Sequence, residues 1–78
     1  EQQRVAMARA LELARDEQTA AEEQAALRTR AFERQSDLAD RGVGTATATE
    51  TAELAASGAR QAVLARRQIV TQSEARVE

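Results

Sequence analysis

Few side chains in this sequence have the types and spacing for covalent or acid–base chemistry. The chain has no histidine and no cysteine, which removes the commonest general base, the thiol nucleophile and the commonest metal ligands. Ser36, Ser57 and Ser73 lack an activating partner, and the adjacent carboxylates Glu22 and Glu23 diverge on a helix. We therefore predict no enzyme active site, no cofactor and no metal ion within these residues.

A second set of residues has the chemistry of molecular recognition. Arg34 and Leu38 are four residues apart and project from the same face of a helix, and Thr45 lies across a turn from them. A guanidinium, an apolar group and a hydroxyl would together form a small docking surface. The alternative interpretation is that Leu38 only closes an apolar seam, Arg34 is solvated, and Thr45 only caps a helix.

The stretch from Arg34 to Thr45 separates two long alanine-rich runs, and the chain has no proline. Gly42 is suited to the left-handed position that ends a helix, and the threonines after Gly44 are good N-caps. One helix ends here and another begins. The sequence therefore predicts an all-α fold, an antiparallel two-helix coiled-coil hairpin with a turn of Gly42, Val43 and Gly44 at its tip.

The first run predicts one amphipathic helix from about residue 2 to about residue 41. At about 1.5 Å per residue it would be roughly 55–60 Å long, which favours a coiled coil. Asp37 and Arg41 are spaced to form an ion pair in its last turn. Gln18 and Arg28 interrupt its apolar stripe. The stripe consists of Met7, Ala10, Leu11, Ala14, Ala21, Ala25, Phe32 and Ala39, widened by Leu13, Ala20, Leu27, Ala31 and Leu38.

The second run predicts a tip at about residues 42–46 and a helix over about 47–77. Thr47 and Glu50 have the spacing of a capping box, and Glu50 and Glu53 would lie at the positive end of the helix dipole. Gly58 either faces a close neighbour or is a tolerated cost of about 1 kcal/mol. Arg66 and Ser73 interrupt the stripe, which consists of Ala52, Ala55 or Ala56, Ala59, Ala62 or Val63, Ile69 or Val70, and Val77.

Composition supports a single thin domain. The 78 residues include one phenylalanine and no other aromatic, so the chain can build an alanine seam but no thick core. The formal net charge of −2 by itself says little about partners, but a nucleic-acid partner would need a basic excess or stripe, and the sequence has neither. No apolar run approaches the roughly 18 residues of a membrane span. The chain opens on Glu1, so we expect it to be a segment of a longer protein.

The tip resembles that of a known family. The spacing of three tip residues is similar to the tip signature of bacterial membrane fusion proteins. In this chain three residues separate Arg34 from Leu38, and six residues separate Leu38 from Thr45. Membrane fusion proteins are the periplasmic adaptor subunits of tripartite efflux pumps and type I secretion systems. Ala52 falls where that family often carries an alanine. The family usually has serine at the position of Thr45 and a branched apolar residue at the position of Gly44, so we expect Gly44 to lose an apolar contact and loosen the turn.

The resemblance implies a hairpin inserted into a lipoyl-like domain, with that domain and a β-barrel domain lying outside these residues. Six hairpins would form a tube in the periplasm, and their tips would meet a TolC-like outer-membrane channel. The rest of the adaptor, anchored to the inner membrane, would hold an inner-membrane transporter of the RND, ABC or major facilitator type. Arg34 would then hydrogen-bond to the channel, Leu38 would be the apolar anchor, and Thr45 would both cap the second helix and touch the partner.

Three other functions also use long helices and are alternatives to the adaptor hairpin. A generic coiled-coil stalk or spacer would have the same sequence pattern, but its Arg34, Leu38 and Thr45 would be freely exchangeable. The helical arm of an RNA-binding enzyme would need a basic face, whereas here arginines alternate with acids. A membrane-surface helix would need bulky apolar residues opposite its basic face. The adaptor hairpin is the function that the sequence favours.

Overall fold

Two α-helices make up the part of the chain that the computed structural model describes, residues 1–77. Helix α1 spans Gln2–Asp40 and helix α2 spans Ala46–Val77. They pack along their length into a rod of 62 × 13 × 13 Å. The predicted all-α two-helix hairpin is confirmed. At the turn, α1 ends and α2 begins one residue earlier than expected.

Ion pairs between the helices define their antiparallel register. Arg15 pairs with Glu74 at 3.2 Å, and Glu22 pairs with Arg67 at 3.6 Å. The partners on each helix are seven residues apart, which is two helical turns, so both pairs lie along one edge of the rod. A third pair joins Arg66 to Glu17 at 2.8 Å. All six side chains are 41–58% exposed, so each pair stabilises the fold by no more than about 1 kcal/mol.

The seam of α1 follows a heptad pattern more closely than its apolar residues alone indicate. Leu11 and Ala14 are buried, and Gln18, Ala21 and Ala25 are half-buried. These five positions are alternately three and four residues apart, the spacing of a coiled-coil seam. The prediction that Gln18 interrupts the apolar stripe is confirmed, because this polar residue occupies a seam position. Its long side chain can lie along the seam while its amide reaches water.

The seam of α2 also contains polar residues. Ala56, Val63 and Val70 are buried, which resolves the three alternatives in the predicted stripe. Arg66 and Ser73, predicted to interrupt the stripe, are half-buried at the heptad positions between and beyond the valines. The Arg66 guanidinium leaves the seam to reach Glu17 on α1, so the stem of Arg66 contributes packing and its charged group remains partly in water.

Several residues that the apolar pattern assigned to the seam lie on the outside of the rod. The seam of a two-helix hairpin is narrow because each helix packs against only one neighbour. About two residues of every seven on each helix therefore lie in the seam. The predicted widening of the α1 stripe is therefore wrong for its first half, although Ala31 and Leu38 are half-buried. Exposed members of the predicted stripes are Met7, Ala10, Leu13, Ala20, Leu27 and Val77.

Gly58 lies within α2 without a close neighbour. A Cβ atom built at this position would meet nothing within 4 Å. The first of the two interpretations, that a glycine is needed for close helix approach, is therefore wrong. Gly58 is the tolerated case, and it costs about 1 kcal/mol of helix stability relative to alanine.

Candidate functional site

The turn at the tip is a Schellman motif, a helix C-terminus in which two N–H groups beyond the helix return to its last carbonyls. Gly42 has φ +76°, the left-handed conformation predicted for it. The Gly42 N–H donates to the Ala39 carbonyl at 3.0 Å, and the Val43 N–H donates to the Leu38 carbonyl at 2.9 Å. Both bonds satisfy carbonyls that the end of α1 would otherwise leave without partners. The backbone of the tip is thereby held in one conformation.

Gly44 closes the turn tightly. Its N–H also donates to the Leu38 carbonyl, at 3.1 Å. A Cβ atom at this position would lie 3.0 Å from the Ala39 backbone nitrogen and 3.3 Å from the Leu38 Cβ atom. The expectation that Gly44 loosens the turn is therefore wrong. The missing side chain lets the backbone pack directly against the last turn of α1, where a Cβ atom would require its neighbours to shift by a few tenths of an ångström.

Thr45, and not Thr47, caps α2. The Thr45 hydroxyl oxygen accepts a hydrogen bond from the Ala48 N–H at 3.0 Å, the geometry of an N-cap. The predicted capping box of Thr47 and Glu50 is wrong, because Thr47 already lies inside α2 and no acidic residue occupies the first turn. Thr45 is exposed, and its hydroxyl proton is not used by the cap. The hydroxyl can therefore donate to a partner while it accepts from Ala48.

The two arginines of the tip differ in what they bind. The Arg41 guanidinium pairs with the Asp37 carboxylate at 3.2 Å, as the spacing predicted. Arg34 is exposed and forms neither an ion pair nor a side-chain hydrogen bond with any of residues 1–77. It lies in the second-last turn of α1, about 9 Å below the helix end. Its planar set of five donors is therefore available to carbonyl or carboxylate acceptors.

The apolar groups of the tip are Leu38 and Val43, and their environments differ. Leu38 is half-buried in the last turn of α1. Val43 is 73% exposed at the apex. The sequence marked Val43 only as a turn residue. The signal that could have singled it out is its position directly after Gly42, where the chain leaves the Schellman turn.

The tip therefore combines donors, a hydroxyl and apolar surface on a rigid turn. Arg34, Leu38 and Thr45 all lie at the same end of the rod, within or next to the helix ends that flank the turn. Across residues 1–77, no group of three acidic, histidine or cysteine side chains could hold a metal ion. This set of groups can recognise another molecule by hydrogen bonding and apolar contact.

Neither helix is long and apolar enough to cross a membrane in the part of the chain that the structure describes. Comparisons of this chain with protein-family models, with curated proteins and with solved structures find no match.

Proposed function

We propose that this chain is the helical hairpin of a bacterial periplasmic adaptor, and that its tip docks onto a TolC-like outer-membrane channel. The adaptor would serve a tripartite efflux pump or a type I secretion system. The observation that supports this most is that Arg34, which pairs with none of residues 1–77, and the exposed Thr45 hydroxyl lie at one end of a 62 Å rod. In a stalk without a partner, Thr45 would serve only as the cap of α2, and Arg34 would be freely exchangeable.

The hydrogen-bonding groups of the tip are suited to bind the end of a helical hairpin that belongs to the proposed channel partner. Helix ends and turns present backbone carbonyls without partners, and these are acceptors for the Arg34 guanidinium. The Thr45 hydroxyl can add one more hydrogen bond. A contact formed by so few side chains is weak by itself, because its area is far below that of a standard interface of about 1,600 Å². Several tips bound to one channel would raise the affinity through multivalency, as in a hexameric ring.

The mechanism proposed is mechanical and not catalytic. Each hairpin would extend from the body of the adaptor, held at the inner membrane with its transporter, to the outer-membrane channel in the periplasm. The energy for transport would come from the transporter. The hairpins would form the wall of the conduit. Their tips would keep the end of the outer-membrane channel aligned with that conduit.

The test is a pair of double variants in the full-length protein. Arg34→Ala with Leu38→Ala is expected to abolish export and to abolish binding to the purified TolC-like channel of the same genome, with the helicity of this chain retained. The matched control is Arg9→Ala with Leu13→Ala. Arg9 and Leu13 have the same spacing as Arg34 and Leu38 and are both exposed, but they lie about 37 Å away along α1. The control is expected to export normally.

Two results would overturn the proposal. If export and binding survive in the tip variant, the tip has no dedicated partner, and a plain coiled-coil stalk becomes the better function. Equal loss in the tip and control variants would show that the rod needs its whole surface and not its tip. The coding sequence on either side gives an independent test. Strand-patterned half-motifs of about 30–40 residues on both sides would support the adaptor, and continuing heptads would support the stalk.

A further inference from the structure

We infer that Val43 provides the main apolar contact of the tip with its partner, and that Leu38 supports the turn through its backbone carbonyl and Cβ atom. This inference depends on the proposed docking function and refines it. It reverses the roles that the sequence pattern assigns, in which Leu38 is the anchor and Val43 only part of the turn.

The difference in exposure is the first reason. Val43 is 73% exposed at the apex, whereas Leu38 is half-buried. A partner can therefore cover more new apolar surface on Val43 than on Leu38. In many Schellman turns the residue after the glycine folds back onto the last helical turn. Here most of the Val43 side chain remains in water.

Hydrogen bonds of the turn give the second reason. The Leu38 carbonyl accepts from both the Val43 N–H at 2.9 Å and the Gly44 N–H at 3.1 Å. The Leu38 Cβ atom lies 3.3 Å from the point where a Gly44 Cβ would be. The backbone and first side-chain atom of Leu38 thus support the inner surface of the turn. Leucine and alanine have these atoms in common, so the support does not depend on the rest of the Leu38 side chain.

The third reason is the low entropic cost of binding through Val43. The hydrogen bonds from the Val43 and Gly44 N–H groups to the Leu38 carbonyl fix the backbone at Val43. The β-branched side chain of Val43 also has a restricted χ1 angle. Leu54 is equally exposed, at 74%, but it lies on the flank of α2, where single exposed apolar residues are ordinary. Only Val43 combines exposure with a rigid apex. The partner site that fits it is a shallow apolar pocket, about the size of one valine side chain, next to backbone carbonyls that Arg34 can reach.

The experiment compares four forms of the chain, immobilised at high density so that multivalent binding is retained. The probe is the purified TolC-like channel of the same genome in lipid nanodiscs. The forms are wild type, Val43→Thr, Leu38→Ala and the matched control Val5→Thr. Threonine keeps the β-branched shape and adds a hydroxyl. Val5 is an exposed valine, at 45%, near the opposite end of the rod. Melting temperature and amide exchange at residues 43 and 44 are measured on the same samples.

Val43→Thr is expected to weaken binding roughly tenfold per contact, as for a valine that loses its burial, with melting temperature and exchange unchanged. Leu38→Ala keeps the carbonyl and the Cβ atom that support the turn, so it is expected to lower the melting temperature slightly while exchange at both turn amides and binding stay near wild type. Val5→Thr is expected to match wild type. Wild-type affinity in Val43→Thr would overturn the inference, as would weak binding in Leu38→Ala with an undisturbed turn. If wild type does not bind at all, the proposed function fails, and the inference fails with it.

Discussion

The base half of the rod, residues 2–25 and 60–77, and the tip half, residues 26–59, are held together by different interactions. Leu11, Ala14, Val63 and Val70 are buried in the base half, and all three ion pairs between the helices lie there. In the tip half, Ala56 is the one buried residue within 26–59.

Half-buried side chains, apolar ones such as Ala31, Phe32 and Leu38 as well as polar ones, take the place of the core in the tip half. The Thr49 hydroxyl donates to the Gln35 carbonyl across the helices at 3.4 Å, and Gln35, Ser36 and Phe32 are half-buried. Such contacts stabilise less per residue than aliphatic burial. The comparison shows that the apolar side chains responsible for folding are far from those available for recognition. We therefore expect the base half to set the stability of the fold and the tip half to open more readily.

The largest expected difference is between two leucine truncations. Leu11→Ala removes a buried side chain, 9% exposed, and is expected to lower the free energy of unfolding by about 2–3 kcal/mol. Leu38→Ala removes a half-buried one and is expected to cost about 1 kcal/mol, because less area leaves the solvent. Chemical denaturation followed by circular dichroism measures both. Equal losses would contradict the division into two halves.

Hydrogen exchange tests the same division without substitutions. Amides in the middle of the tip half are expected to exchange roughly tenfold faster than those around Leu11 and Val70, because local opening there breaks fewer apolar contacts. Resolved exchange rates by NMR give the comparison residue by residue. Uniform protection along both helices would show that the hairpin opens only as a single unit.

Two glycine substitutions are expected to change the free energy of unfolding in opposite directions. Gly58→Ala should stabilise the chain by about 0.5–1 kcal/mol, because the helix gains propensity and the new methyl group meets no neighbour within 4 Å. It should also reduce the difference in exchange between the halves, since Gly58 lies in the tip half. Gly42→Ala is the control and should destabilise the chain by about 1 kcal/mol, because its φ of +76° is strained for alanine. Thermal melting measures both shifts.

The smallest expected effect concerns the ion pair of the base half. A double-mutant cycle with Arg66→Met and Glu17→Gln is expected to give a coupling free energy of about 0.5 kcal/mol, because both side chains are about two-fifths exposed. The coupling should decrease further in 1 M salt. A coupling well above that of a surface pair would mean that ionic contacts, and not aliphatic burial, distinguish the base half.

Residues with strong local preferences were predicted correctly from the sequence. Gly42 ends α1 in the left-handed conformation, because the steric advantage of glycine there depends on one residue alone. The ion pair of Asp37 and Arg41 depends only on helical spacing. The hairpin itself follows from two helical runs with one break between them.

The errors concern features that depend on three-dimensional neighbours. Gln18 and Arg66 are not among these errors, because they interrupt the apolar stripe as predicted, at seam positions from which long polar side chains can extend to water. Thr45 and Thr47 are equally good caps by type. The position of the Schellman turn decides between them. The close contact at Gly44 depends on how the backbone folds back on α1, which no local preference encodes.

The shape of the rod has one more consequence, which is leverage. A body 62 Å long and 13 Å wide converts a rotation of about 5° at its base into a displacement of about 5 Å at its tip, the scale of a helical turn in known switching transitions. A lever transmits such motion only as well as its most compliant section. The weakly packed tip half would absorb part of any displacement, so the stiffness of that section decides how much motion at the base reaches the apex.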